Sequence, residues 1–240
     1  MSNLDEIRRL IAAEQERLSQ LDDLDYLFDD IESDFLKMLE GKGETQRGFQ
    51  LSDSFKAKFP LMSQLLFKAR VTPIKAGGND YLVIGWLESD SRTVWLCHAP
   101  QSNVSHLHPD HQLLAAVMGG ISQFVESVNS RLANLYWALL LSQEKIVPNF
   151  DVPISRFAAN ADMPKFDFDQ YYVVAYEANG SQTICHRESG ELLMICHDPS
   201  GQITPLPNWP RNTFFTLDEC ATFQEWVEGL AAEYLEEMEL

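Results

Sequence analysis

Tyr171-Tyr172-Val173-Val174-Ala175-Tyr176, Thr183-Ile184-Cys185-His186 and Glu191-Leu192-Leu193-Met194-Ile195-Cys196 are three short apolar runs in quick succession. Asn179-Gly180 and Glu188-Ser189-Gly190 separate them, and Asp198-Pro199-Ser200-Gly201 follows. Such residues supply the left-handed or pre-set backbone angles of tight turns, so the stretch predicts an antiparallel meander. A turn at residues 188–190 is expected to set Cys185 opposite Leu193. Downstream, Pro205, Pro207 and Pro210 hold the chain irregular as far as Thr213-Phe214-Phe215. A helix then closes the sequence. Thr222 with Glu225 three residues on fits a capping box. Phe223, Trp226, Val227, Leu230, Ala231, Tyr234, Leu235 and Met238 share one helical face, too broad a stripe for anything but core.

Upstream of the meander, Pro109 opens a second helical region with Leu113, Leu114, Val117 and Met118 on one face. Gly119-Gly120 interrupts it. Ile121, Phe124, Val125, Val128, Leu132, Leu135, Tyr136 and Leu139 continue a helical period, so helix is expected to resume. Pro148, Pro153 and Pro164 make residues 147–167 an irregular connection. Earlier still, Tyr81-Leu82-Val83-Ile84-Gly85-Trp86-Leu87 and Thr93-Val94-Trp95-Leu96-Cys97 flank a polar turn and read as a hairpin. A short helix is expected over residues 55–68 and a linker over residues 43–50. Leu4, Ile7, Ile11, Leu18, Leu21, Leu24, Phe28, Ile31, Phe35 and Leu39 recur at helical steps, with Gly41-Lys42-Gly43 as the stop. The expected organisation is an N-terminal helical segment over residues 1–43 and an α+β domain over residues 44–240. No β-α-β alternation repeats, so the sheet is expected to be mainly antiparallel.

The 240 residues carry 36 acidic and 18 basic side chains, a net charge of −18. Phosphate backbones and anionic lipid are repelled by such a field, which argues against nucleic acid or a membrane surface as partner and favours a basic protein. The excess is concentrated. Residues 22–40 hold eight acids and one base, Lys37, and residues 218–240 hold eight acids and no base. Like charges at i,i+4 on a helix each cost about 0.2–0.5 kcal/mol, so such faces are either simply solvated or kept for recognition. The candidate partner-binding carboxylates are Asp22, Asp23, Asp25, Asp29, Asp30, Glu225, Glu228, Glu233, Glu236 and Glu237. The N-terminal stripe is also a candidate homodimer seam.

Met1-Ser2-Asn3-Leu4-Asp5-Glu6 has neither the basic start nor the apolar run of a secretory leader, and no window reaches the ~18 apolar residues of a span. Four cysteines without a Cys-x-x-Cys pair suit reduced thiols, and a cytoplasmic location is expected. Cys97-His98, Cys185-His186 and Cys196-His197 are adjacent pairs, and His106, His108 and His111 fall within six residues. These residue types ligate zinc. Neighbours on a strand point to opposite faces, however, so one Cys-His pair cannot chelate through both side chains. The plainer reading is buried small thiols and exposed rim imidazoles. A nucleophilic cysteine requires an electropositive setting, scarce in this chain. GxSxG, Walker, GxGxxG and HExxH motifs are missing, so no catalytic residue, metal site or cofactor is expected. A metal- or thiol-dependent hydrolase is the alternative in the enzyme class, and a homo-oligomeric regulatory protein is the third.

Pro109-Asp110-His111-Gln112-Leu113-Leu114, the Gly119-Gly120-Ile121 that follows, the turn-rich strands to Gly201 and the closing Thr222-Phe223-Gln224-Glu225-Trp226-Val227 resemble the SUKH superfamily, the Smi/Knr cell-wall regulator-like proteins. The resemblance covers about residues 105–238. It implies a non-enzymatic protein-binding fold. Many bacterial members are immunity proteins that neutralise toxins, often nucleases, whose basic phosphate-binding grooves an acidic protein can occupy.

Overall fold

The computed structural model of the chain describes residues 38–87, 92–126, 138–139, 166–176, 181–196, 203–209, 213–218 and 220–238. They form an α+β fold of two antiparallel sheets and four helices. The first sheet contains β1 (Leu39–Lys42), β2 (Gln46–Arg47), β3 (Arg70–Ala76), β4 (Asn79–Leu87), β5 (Arg92–His98) and β6 (Ile121–Glu126). Its order is β1-β3-β4-β5-β6, with β2 also paired to β3. The second contains β7 (Ala138–Leu139), β8 (Tyr171–Tyr176), β9 (Gln182–His186), β10 (Leu192–Ile195), β11 (Ile203–Pro205) and β12 (Phe214–Leu217), in the order β11-β12-β10-β9-β8-β7. The helices are α1 (Asp53–Lys58), α2 (Pro60–Lys68), α3 (Pro109–Ala115) and α4 (Phe223–Glu237). Among the described residues, no helix is long and apolar enough to cross a membrane.

One core joins both sheets to the helices. Trp86 and Trp95 from the first sheet, Tyr172, Cys185 and Leu192 from the second, and Phe55, Met62, Leu65, Phe223, Trp226 and Leu230 from the helices all belong to it. Each large buried side chain stabilises by about 1.5–3 kcal/mol, so α4, with seven buried residues, is held by its apolar stripe far more than by helix propensity. A smaller cluster of Val173, Ile184, Leu193, Ile195 and Phe214 covers the opposite face of the second sheet, as strand alternation requires.

The meander, the β4–β5 hairpin and the capped final helix lie where the sequence places them. Thr222 and Glu225 cap each other reciprocally. Other expectations need correction. Leu39, the last residue of the expected helical stripe, instead opens β1 and is buried where that strand pairs with β3. The supposed linker contributes β2, and the helix expected over 55–68 is two helices that meet at Phe59-Pro60. Proline has no amide hydrogen to donate and suits the first turn of α2.

Beyond Gly119-Gly120 the chain is strand, not resumed helix, over β6, and again at β7. The cause is local. Gly119 donates to the His98 carbonyl at 2.8 Å, and His98 donates to the Gly120 carbonyl at 2.8 Å, which folds the chain back along β5. A Cβ at Gly119 would run into the Ala99 carbonyl oxygen, and Gly120 has φ +116°. The period-3.6 pattern lost to this pairing. The stripe from Leu4 to Phe35 lies outside the described residues, and so does most of residues 127–165.

Cys185 faces Leu192, not Leu193. His186 receives the Gly190 amide at 3.0 Å and pairs with Glu191, so the loop is Arg187-Glu188-Ser189-Gly190 with Gly190 left-handed at φ +72°. Four loop residues ending in a left-handed glycine fix a register one step from the expected one.

Candidate functional site

The described residues bring one polar cluster together, at the corner where α3 meets β8, β9 and α4. His108 precedes Pro109, and its Nδ1 accepts from the Asp110 amide at 3.3 Å, so the imidazole itself caps α3. One turn on, His111 points inward and is 1% exposed. Its ring stacks on Phe223 at 4.6 Å between centroids and on Tyr172 at 5.6 Å. His111 Nδ1 lies 3.2 Å from the Tyr172 hydroxyl, which also accepts from the His108 amide at 3.2 Å. Burial pushes His111 down to about 3, with the imidazoles of His106 and His108 adding to the shift. It is therefore neutral at ordinary pH.

Arg187, in the β9–β10 loop, ties the corner to its surroundings through backbone carbonyls. Its guanidinium donates to His106 at 2.6 Å, to Asp169 at 3.0 Å and to Tyr171 at 3.3 Å, and it lies 5.2 Å over the Tyr172 ring. The fork geometry of guanidinium suits several acceptors at once. From α1, Lys58 pairs with Asp110 at 2.8 Å. His108 lies against Gly190, where a Cβ would approach its ring to 2.8 Å.

Most polar atoms of the corner have partners, and the exception is the buried Nε2 of His106, which has none among the described residues. Burial raises the Tyr172 hydroxyl, helped by the adjacent Cys185 thiol. Burial pushes Cys185 up to about 12, against the lesser pull of its hydrogen bond with Tyr172. Cys97 is fully enclosed, its sulfur 3.9 Å from that of Met118, and desolvation raises its thiol well above the ordinary range. Cys196 is buried and accepts from Ser181 at 3.1 Å. A buried thiol held protonated is a poor nucleophile. Among the described residues, no group of three or more His, Cys, Asp or Glu side chains is placed to hold a metal. The sequence places the imidazoles on an exposed rim. His111 corrects that reading, because α3 turns it onto Tyr172 and Phe223, residues far away in the chain.

The acidic candidates divide. Asp22, Asp23, Asp25, Asp29 and Asp30 lie outside the described residues. Glu225 is exposed but accepts from the Thr222 amide at 3.0 Å as half of the capping box. Glu228 accepts from the amides of Leu61 and Met62 at 2.9 and 3.0 Å, capping α2. Glu233, Glu236 and Glu237 are exposed on the last two turns of α4, with no basic residue in the last turn. The structural duties of Arg187, Lys58 and Glu228 escape the sequence, because each is set by a partner at least fifty residues away. Compared with family models, curated proteins and solved structures, the chain finds no match in any of the three.

Proposed function

We propose that this chain is a non-enzymatic protein-binding module of the SUKH kind, an immunity-type protein that docks a basic partner such as the phosphate-binding face of a nuclease toxin. The observation that carries the reading is the end of α4. Glu236 and Glu237 are exposed there, at the end of the helix whose macrodipole already disfavours negative charge. Carboxylates at that position cost about 0.3–1 kcal/mol each, a cost that a cationic partner would reverse.

Two further observations support it. The stretches that carry the resemblance meet in space, α3 against α4 through His111 and Phe223, with Gly119-Gly120 turning directly into a strand. Cys97 and Cys185, whose thiols burial keeps protonated, offer no ionised nucleophile, which counts against the hydrolase alternative. Four free cysteines suit a reducing cytoplasm, the location that goes with this reading.

The reading expects a toxin with a basic nuclease domain in the neighbouring reading frame, and the test is calorimetric titration of the full chain with that domain at rising salt. Expected is a one-to-one complex whose affinity falls steeply as the Debye length shortens from ~30 to ~8 Å. Absence of binding, or affinity indifferent to salt, overturns the proposal.

A further inference from the structure

Four of the six histidines gather at the corner already described, although they come from two stretches of chain some seventy-five residues apart. His106, His108 and His111 arrive with α3, and His186 with the end of β9. His186 Nδ1 accepts from the amides of Glu188 and Ser189 at 3.3 and 3.2 Å, and its ring meets Tyr171 at 4.9 Å. His108 Nδ1 is occupied by the Asp110 amide. These imidazole nitrogens are used as acceptors, and an acceptor nitrogen cannot also carry a proton. His111 is enclosed between two rings, where an imidazolium would lose its hydration with no carboxylate against it.

We propose that this corner is an acid-released latch, in which a neutral His111 holds α3 and its approach loop onto β8 and α4, and protonation frees that segment while the first sheet stays folded. The surroundings decide the sign. The preceding loop contributes His106 and His108, and α3 itself Asp110. Facing them are Tyr171 and Tyr172 from β8, Cys185 and His186 from β9, Arg187 and Glu188 from the loop after it, Glu191 beyond that, and Lys58 from α1. From α4 comes the uncharged ring of Phe223. Asp110 is already paired with Lys58, and Arg187 is a fixed positive charge beside Tyr172. A new positive charge on His111 therefore meets more cations and imidazoles than free carboxylates.

Burial holds His111 near 3, against 6.5 when the segment is open. A folded value below the open one means that stability is fully present above pH 6.5 and drains away as pH falls towards 3. Between pH 7.5 and pH 5 the opening equilibrium shifts by roughly 30-fold.

Hydrogen–deuterium exchange on the full chain, corrected for intrinsic rates, reads this directly. Residues 107–116 are expected to lose protection by roughly that factor at pH 5, while residues 94–98 in β5 keep theirs. Protection that is unchanged at pH 5, or lost to the same degree in both segments, overturns the latch. In His111→Phe, which keeps the ring stack without a titrating nitrogen, the acid response of residues 107–116 shrinks to the smaller part owed to His108, which burial also lowers; a full response in that variant overturns the latch. If that variant does not fold, the wild-type comparison of the two segments decides alone.

Discussion

The Glu228 carboxylate on α4 grips the backbone amide of Leu61 at 2.9 Å, across 167 residues of sequence. Its second oxygen takes the amide of Met62 at 3.0 Å. Phe59, the residue before α2, has no side chain able to cap it, so Glu228 does from outside what serine or aspartate does from within. Nearby, Gln224 donates to the Lys58 carbonyl at 3.0 Å, closing the end of α1. Glu228→Ala leaves two amides without an acceptor and is expected to cost about 1–3 kcal/mol in urea unfolding. Glu228→Gln, which keeps one acceptor oxygen, should lose less. Equal losses would show that charge, not hydrogen bonding, is what matters.

Gly119 and Gly190 tolerate no side chain, for different reasons. At Gly119 a methyl group meets the Ala99 carbonyl, a backbone atom that cannot rotate away. Gly119→Ala is expected to destabilise by at least about 2 kcal/mol, because β6 must shift to relieve the contact. At Gly190 a methyl group meets the His108 ring, and φ is +72°. Gly190→Ala should cost about 1–2 kcal/mol from the left-handed backbone, plus the displaced imidazole. Thermal melts on both variants, with Gly229→Ala on the open side of α4 as control, provide the check.

Arg187→Lys should behave nearly as badly as Arg187→Ala. A lysine ammonium is a single point and cannot span three carbonyls that guanidinium reaches at 2.6, 3.0 and 3.3 Å. Each lost charged hydrogen bond is worth about 1.5–3 kcal/mol. Full rescue of stability by lysine would show that the positive charge alone is needed.

Thiol chemistry separates the cysteines. Cys220 is half-buried and the other three are buried, so Cys220 should alkylate first under native conditions. Because burial pushes Cys185 up to about 12, its slow alkylation should keep rising about tenfold per pH unit from pH 7 to 10, as the small thiolate population grows. A rate that levels off near pH 9 would reveal an accessible, ordinary thiol. Mass spectrometry of timed, quenched samples resolves the four sites.

Glu236→Gln combined with Glu237→Gln isolates recognition from stability. Both side chains are exposed at the unfavourable end of the dipole, so the melting temperature should hold or rise slightly. Affinity for the proposed basic partner should fall, and its salt dependence should flatten. Unchanged affinity would place the contact elsewhere on the molecule.

The sequence determined the elements whose signals are local. Turn residues between short apolar runs produced the meander, and Thr222, Glu225 and the stripe from Phe223 to Met238 produced α4 with its cap. The charge imbalance was also legible, as arithmetic. What happens after Gly119-Gly120 was not. A run such as Ile121, Phe124, Val125 fits a helical face, and only the paired hydrogen bonds to His98 make it strand. The register at Cys185 turned on how many residues the loop consumes, which the left-handed Gly190 fixes.

The candidate site was legible only in part. Clustered histidines could be seen, but not that His111 is buried between Tyr172 and Phe223 while His186 joins from another strand. Glu225 and Glu228 look alike on one helix, yet each ends up on a different amide. Tertiary structure decided these matters because a buried polar group must find its partner wherever the fold brings one within about 3 Å, and distance along the chain carries no information about that.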